Sequence, residues 1–138
     1  MQDTSNTQNF SNRRLYFYLL LSAILLFGIC IGSYYYLKTT ANQVLAVFPQ
    51  METAVLEGNQ PKSLQSYNEA KLIWDKHKNF WQCFLMHQEI DDIEAMFFRL
   101  KGYLETNSTI ESLSSIYELQ YNIKHVPETE KLSFYNIL

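Results

Sequence analysis

Glycine is scarce in this chain: four residues in 138, and only Gly58 and Gly102 lie outside one long apolar run. That excludes a glycine-rich phosphate loop, and no Gly-x-Ser-x-Gly elbow for a serine nucleophile is present. Cysteine is scarcer still. Cys30 falls inside the apolar run and Cys83 far beyond it, so no disulfide framework staples a fold, and a hydrophobic core must supply stability. Positive charge is also short after the run: from 39 to 138, eight Lys/Arg face thirteen Asp/Glu, a formal charge of about −5. That balance argues against nucleic acid and against general adsorption to anionic lipid. Strand-like alternation is missing over any useful length.

What is abundant is apolar sequence in one block. Leu15 to Leu37, "LYFYLLLSAILLFGICIGSYYYL", is free of charge, and roughly 20 apolar residues span a bilayer's hydrocarbon core. Arg13 and Arg14 abut one side and only Lys38 the other, which puts the N-terminus in the cytoplasm. Tyr16 and Tyr18, then Tyr34, Tyr35 and Tyr36, frame the span at headgroup level. A cleaved signal peptide has the same outline, but the run is long, lacks an A-x-A site, and sets bulky Ile29 before Cys30. The expected layout is a cytoplasmic tail (1–14), a transmembrane signal-anchor helix (15–37) and an extracytoplasmic domain (39–138). Gly28 and Gly32 make a G-x-x-x-G, a face through which two spans could pack as a homodimer.

The domain reads as all-α, an antiparallel bundle of about four helices. Ala41, Val44, Phe48, Met51 and Val55 form one helical face with a kink or break at Pro49. "EGNQP" (57–61) reads as stop, turn and restart. Leu64, Tyr67, Ala70, Trp74 and Trp81 belong to a second helix, and Met86, Ile90, Ile93, Phe97, Leu100 and Leu104 to a third. Their stripes are out of phase, which predicts a break near Asn79, where "NFWQ" offers a capping-box pattern. "STIE" (108–111) opens a fourth helix with Leu113, Ile116, Leu119, Ile123 and Val126 on its buried face, ended by Pro127. Leu132, Phe134, Ile137 and Leu138 are expected to dock on the bundle. Cys83 reads as a small core residue.

One stretch stands out for chemistry: "HQEIDDIE", 87–94. His87, Asp91 and Glu94 share a face beside the apolar stripe; Glu89 and Asp92 point elsewhere. Hairpins about residues 80 and 107 would bring Lys71, Lys124 and His125 to the same height. The expectation is a salt-bridged band at the rim of the core, made of His87, Glu89, Asp91, Glu94, Lys71, Lys124 and His125. The sharper alternative is a metal or small-ligand sensor using His87, Asp91, Glu94 and His125, although the Glu-x-x-His spacing of bundle metal sites is missing. Trp74, Tyr67, Trp81 and Phe84 could line an aromatic pocket, but at this spacing they read as core. "NST" (107–109) is a glycosylation sequon only in a eukaryotic secretory setting.

Beyond the apolar run, "W…W…H-x-E-I-D-x-I-E…R-L-x-x-Y-L-E" (Trp74, Trp81, His87, Glu89, Ile90, Asp91, Ile93, Glu94, Arg99, Leu100, Tyr103, Leu104, Glu105) is followed by "H-V-P-E…E-K-L…N-I-L" (125–138). The chain thereby resembles domain-of-unknown-function family 4363, small single-span proteins of spore-forming Firmicutes. The resemblance implies a bacterial membrane, a link to sporulation, and a multi-span partner of the YetF type; it carries no established activity and no catalytic residues. Together these readings predict a non-enzymatic accessory protein without a cofactor, anchored in the cytoplasmic membrane and contacting a partner membrane protein.

Overall fold

The computed structural model describes residues 4–135, with side chains from Asn12 to Glu128. The described residues are helical, with no strand among them: α1 (Thr4–Leu45), α2 (Phe48–Leu56), α3 (Gln60–Trp81), α4 (His87–Glu105) and α5 (Thr109–Tyr135). The chain divides into two compact units between Ser33 and Tyr34.

The first unit is the apolar helix. It is long and apolar enough to cross a membrane, and none of its most apolar stretch is buried in protein. A soluble protein's core helix would be covered; here Leu15 through Ile31 point their large side chains outward. Two of its serines bond within the helix, Ser22 Oγ donating to the Leu19 carbonyl and Ser33 Oγ to that of Cys30.

The second unit is the bundle, and it starts earlier than hydropathy suggests. Leu37 is 1% exposed and belongs to the core with Ala41 and Val44, so the apolar run and the domain share residues. The expected break at Pro49 is present: the chain turns at Ala46 and Val47, and Pro49 sits in the first turn of α2, where its missing N–H costs nothing. α2 closes on Gly58, whose φ of +67° lets the Asn59 N–H reach the Ala54 carbonyl. Asn59 then caps α3 by accepting from the Lys62 N–H, and Pro61 lies in its first turn. Gln60 Nε2 donates to the last carbonyls of α4, Leu104 and Glu105, so one side chain ties two helix ends together. Asn107, at φ 54°, allows the Ser108 N–H to reach the Tyr103 carbonyl, and Ser108 Oγ bonds Glu111 across the first turn of α5.

The expected break near Asn79 is present: α3 runs on to Trp81, which is held in the core with its indole N–H on Thr40 Oγ1 of α1 at 2.8 Å. Three expectations need correction. The turn occupies 82–86, and Met86 is the residue before α4, 76% exposed rather than buried. Cys83 is exposed in that turn, its Sγ against the Asn79 carbonyl. Pro127 does not end α5: it is buried beside Val126 inside the helix, and a proline removes one N–H without forbidding continuation. The side chains of Leu132, Phe134, Ile137 and Leu138 lie outside the described residues.

Candidate functional site

α4 opens at His87, so "HQEIDDIE" supplies its first two turns. Only one of its acids enters a network. Glu94 is partly buried against α3, where Trp74 Nε1 donates to Oε1 at 2.6 Å, Lys78 Nζ to Oε1 at 3.2 Å and Lys71 Nζ to Oε2 at 3.2 Å. Asp75 bridges the same two lysines, 2.6 Å from Lys71 and 2.9 Å from Lys78. Lys71 also stands over the Phe97 ring at 5.6 Å. Lys71, Asp75 and Lys78 stand at i, i+4 and i+7 and so share one face of α3.

The electrostatics follow from these contacts. Burial pushes the Glu94 carboxyl up, and the bonds from Trp74, Lys78 and Lys71 outweigh it, leaving the group below the ordinary carboxylate value. Burial acts likewise on Asp75, and its two lysines again win. Lys78 is raised, chiefly by its bond to Asp75. Glu94 is therefore a charged acceptor with both oxygens engaged, which suits holding Trp74 in place better than moving a proton.

The predicted band is thus realised only by Glu94 and Lys71. His87 and Asp91 are exposed, Glu89 is half-buried, and Lys124 and His125 lie exposed on α5. His125 instead stacks on Tyr121, centroids 5.3 Å apart, and lies 3.8 Å from Glu128. With the turn at 82–86 rather than 80, the α3–α4 register moves by about a helical turn, so Lys71 meets Glu94 and not Asp91. The α4–α5 turn falls near 107 as expected, so this shift does not account for Lys124 and His125. Among the described residues, no group of three or more His, Cys, Asp or Glu side chains converges as metal ligands would. Asp75 and Lys78 were missed, though their helical spacing from Lys71 would have revealed them.

A second junction joins α1 to the end of α3. Tyr36 Oη and His77 Nδ1 are hydrogen-bonded at 2.7 Å, and the Tyr36 and Phe80 rings lie 4.1 Å apart. Burial, and then the charge of Lys76, push His77 below its ordinary value. On the opposite flank, Leu45, Tyr117, Gln120, Tyr121 and Lys124 line an open depression of about 350 Å³. Tyr117 is 54% and Tyr121 65% exposed.

A helix long and apolar enough to cross a membrane, followed by an all-α bundle in which Glu94 pairs with Lys71 and Lys78, defines a class of small all-helical protein. Within it the assignment is specific. Residues 31–137 match the family described as Domain of unknown function (DUF4363), and the chain belongs to that family. No curated protein and no solved structure matches the chain.

Proposed function

We propose that this is a single-pass protein of a bacterial cytoplasmic membrane, N-terminus inside, whose bundle acts outside as a non-enzymatic accessory module bound to a partner membrane protein. A spore-forming host is what the family resemblance implies, and Arg13 and Arg14 against Lys38 favour this orientation. The observation that supports a binding role is the α5 flank. Tyr117 and Tyr121 stand exposed around a depression, on a domain whose Glu94 is engaged by Lys71 and Lys78 of its own chain. Aromatic side chains left outside a well-packed core are the residue type that interfaces enrich. Tethering in the same membrane raises the local concentration of such a contact, so modest intrinsic affinity suffices.

The test is photo-cross-linking in the native membrane with a benzophenone amino acid at Tyr121, and at Ile110 as the comparison. A discrete adduct with one membrane protein from Tyr121 and not from Ile110 is expected. A chain that purifies alone and monomeric, with no adduct at either position, refutes the proposal.

A further inference from the structure

The turn between α3 and α4 has the wrong composition for water. Asn79 to Met86, "NFWQCFLM", is free of charge between Lys78 and Glu89 except for the adjoining His87, whereas helix–helix turns in water are ordinarily polar. Trp81 and Leu85 turn inward at 1% and 6% exposure, but Phe80 is 40% and Met86 76% exposed, Cys83 is exposed and Phe84 is only partly covered. The Phe80 and Phe84 ring centroids lie 5.0 Å apart at a tilt of 47°, and Phe80 lies against Tyr36 at 4.1 Å. The tip of the hairpin is therefore a small aromatic and apolar cap joined ring to ring to Tyr36.

Chain length says where Tyr36 must be. It follows Ser33 by three residues, which reach at most about 11 Å even fully extended. Leu15 to Gly32 measures about 27 Å as a helix against about 30 Å of hydrocarbon, so the boundary of a spanned bilayer falls at or past Ser33. The headgroup layer adds roughly 5–8 Å on each side. Tyr36, and through it the Phe80–Phe84 cap, is confined to the neighbourhood of that layer by covalent geometry alone.

We propose that the 79–86 turn is a second membrane contact, its Phe80, Phe84 and Met86 side chains seated in the headgroup region of the bilayer that the N-terminal helix crosses. Aromatic rings favour that depth, and Lys38 and Lys76, both exposed, place positive charge near the cap in sequence. The contact would fix the bundle at two points instead of one and so restrict its rotation about the span. This inference rests on the membrane-anchored reading above, and its test separates the two.

The full chain carrying Cys30→Ala keeps Cys83 as its one thiol. A nitrobenzoxadiazole label there is read in vesicles of phosphatidylethanolamine with a minority of phosphatidylglycerol, doped with lipids bearing a nitroxide near the headgroup or deep in the acyl chain. Blue-shifted emission with strong quenching by the shallow nitroxide is expected at Cys83. With both native thiols replaced by alanine, Ser22→Cys should be quenched by the deep nitroxide and Ile110→Cys by neither. Met86→Asp, added to the Cys83-labelled chain, puts a charge on the cap at a position that favours a helix start; it should move the label back toward water. A quenched Ser22 label beside an unquenched Cys83 label overturns the tip contact and leaves the anchor standing, with the cap then open to a protein partner. An unquenched Ser22 label overturns the anchor and the inference with it.

Discussion

Glu94→Ala removes the acceptor of three donors, Trp74, Lys71 and Lys78, and the costs differ for a physical reason. Lys71 and Lys78 are 23% and 30% exposed and keep Asp75 after the change, so each lost ion pair costs about 0–1 kcal/mol. The Trp74 indole has no substitute acceptor in water: Trp74 is 1% exposed, and a buried donor left unpaired costs about 1–3 kcal/mol. The alanine variant is therefore expected to lose about 2–4 kcal/mol of stability. Glu94→Gln retains a carbonyl oxygen for the indole and should lose about 1 kcal/mol or less. Urea titration of the full chain in maltoside micelles measures both, followed by far-ultraviolet circular dichroism and by the fluorescence of Trp74 and Trp81. Two outcomes refute the reasoning. A glutamine variant as weak as alanine would mean that charge, not the indole bond, dominates; an alanine variant within about 0.5 kcal/mol of the parent would mean that the network contributes no more than an ordinary surface site.

Acid should weaken the same network: Glu94 and Asp75 are held below their ordinary values of 4.5 and 3.8, so the folded chain binds fewer protons than the unfolded one. Their stabilisation is fully present above those ordinary values and is lost as pH falls through the lowered ones; Glu94→Gln should flatten the acid limb of urea midpoint against pH, and an unchanged limb would refute the assignment. Thr40→Val strands the Trp81 indole N–H and should cost about 1–3 kcal/mol, with Thr40→Ser recovering most of it; a valine variant as stable as the parent would refute the contribution of the bond. At Gly58 an added Cβ meets nothing within 4 Å, but φ is +67°, so Gly58→Ala should cost about 1 kcal/mol through backbone strain alone, and a neutral result in the same titration would contradict that.

Much of the bundle was legible because its signals are local. Pro49, Gly58 and Pro61 punctuate the chain where the helices change, and the Ile90, Ile93, Phe97, Leu100 and Leu104 stripe is buried as its spacing requires. The α3–α4 turn was harder to place. No glycine or proline marks 79–86, Asn79 and Gln82 imitate a cap, and what carries α3 on to Trp81 is a bond to Thr40, 41 residues away. That shift of about one turn is why Lys71 was matched to Asp91 rather than to Glu94. Among the described residues, only Glu94 of the four acids in 87–94 receives cations from a neighbouring helix, and which acid did so depended on a contact that periodicity does not encode.

The overlap at Tyr36 and Leu37 bears on where the chain can be cut. A truncation drawn at the end of the apolar run, beginning at Lys38, would remove the hydroxyl bound to His77, uncover the Phe80 ring and open the space that Leu37 fills. Aggregation of such a fragment would then be a damaged domain, mistaken for a domain that needs its membrane. Beginning at Tyr34, three residues inside the family's own boundary at 31, keeps those groups.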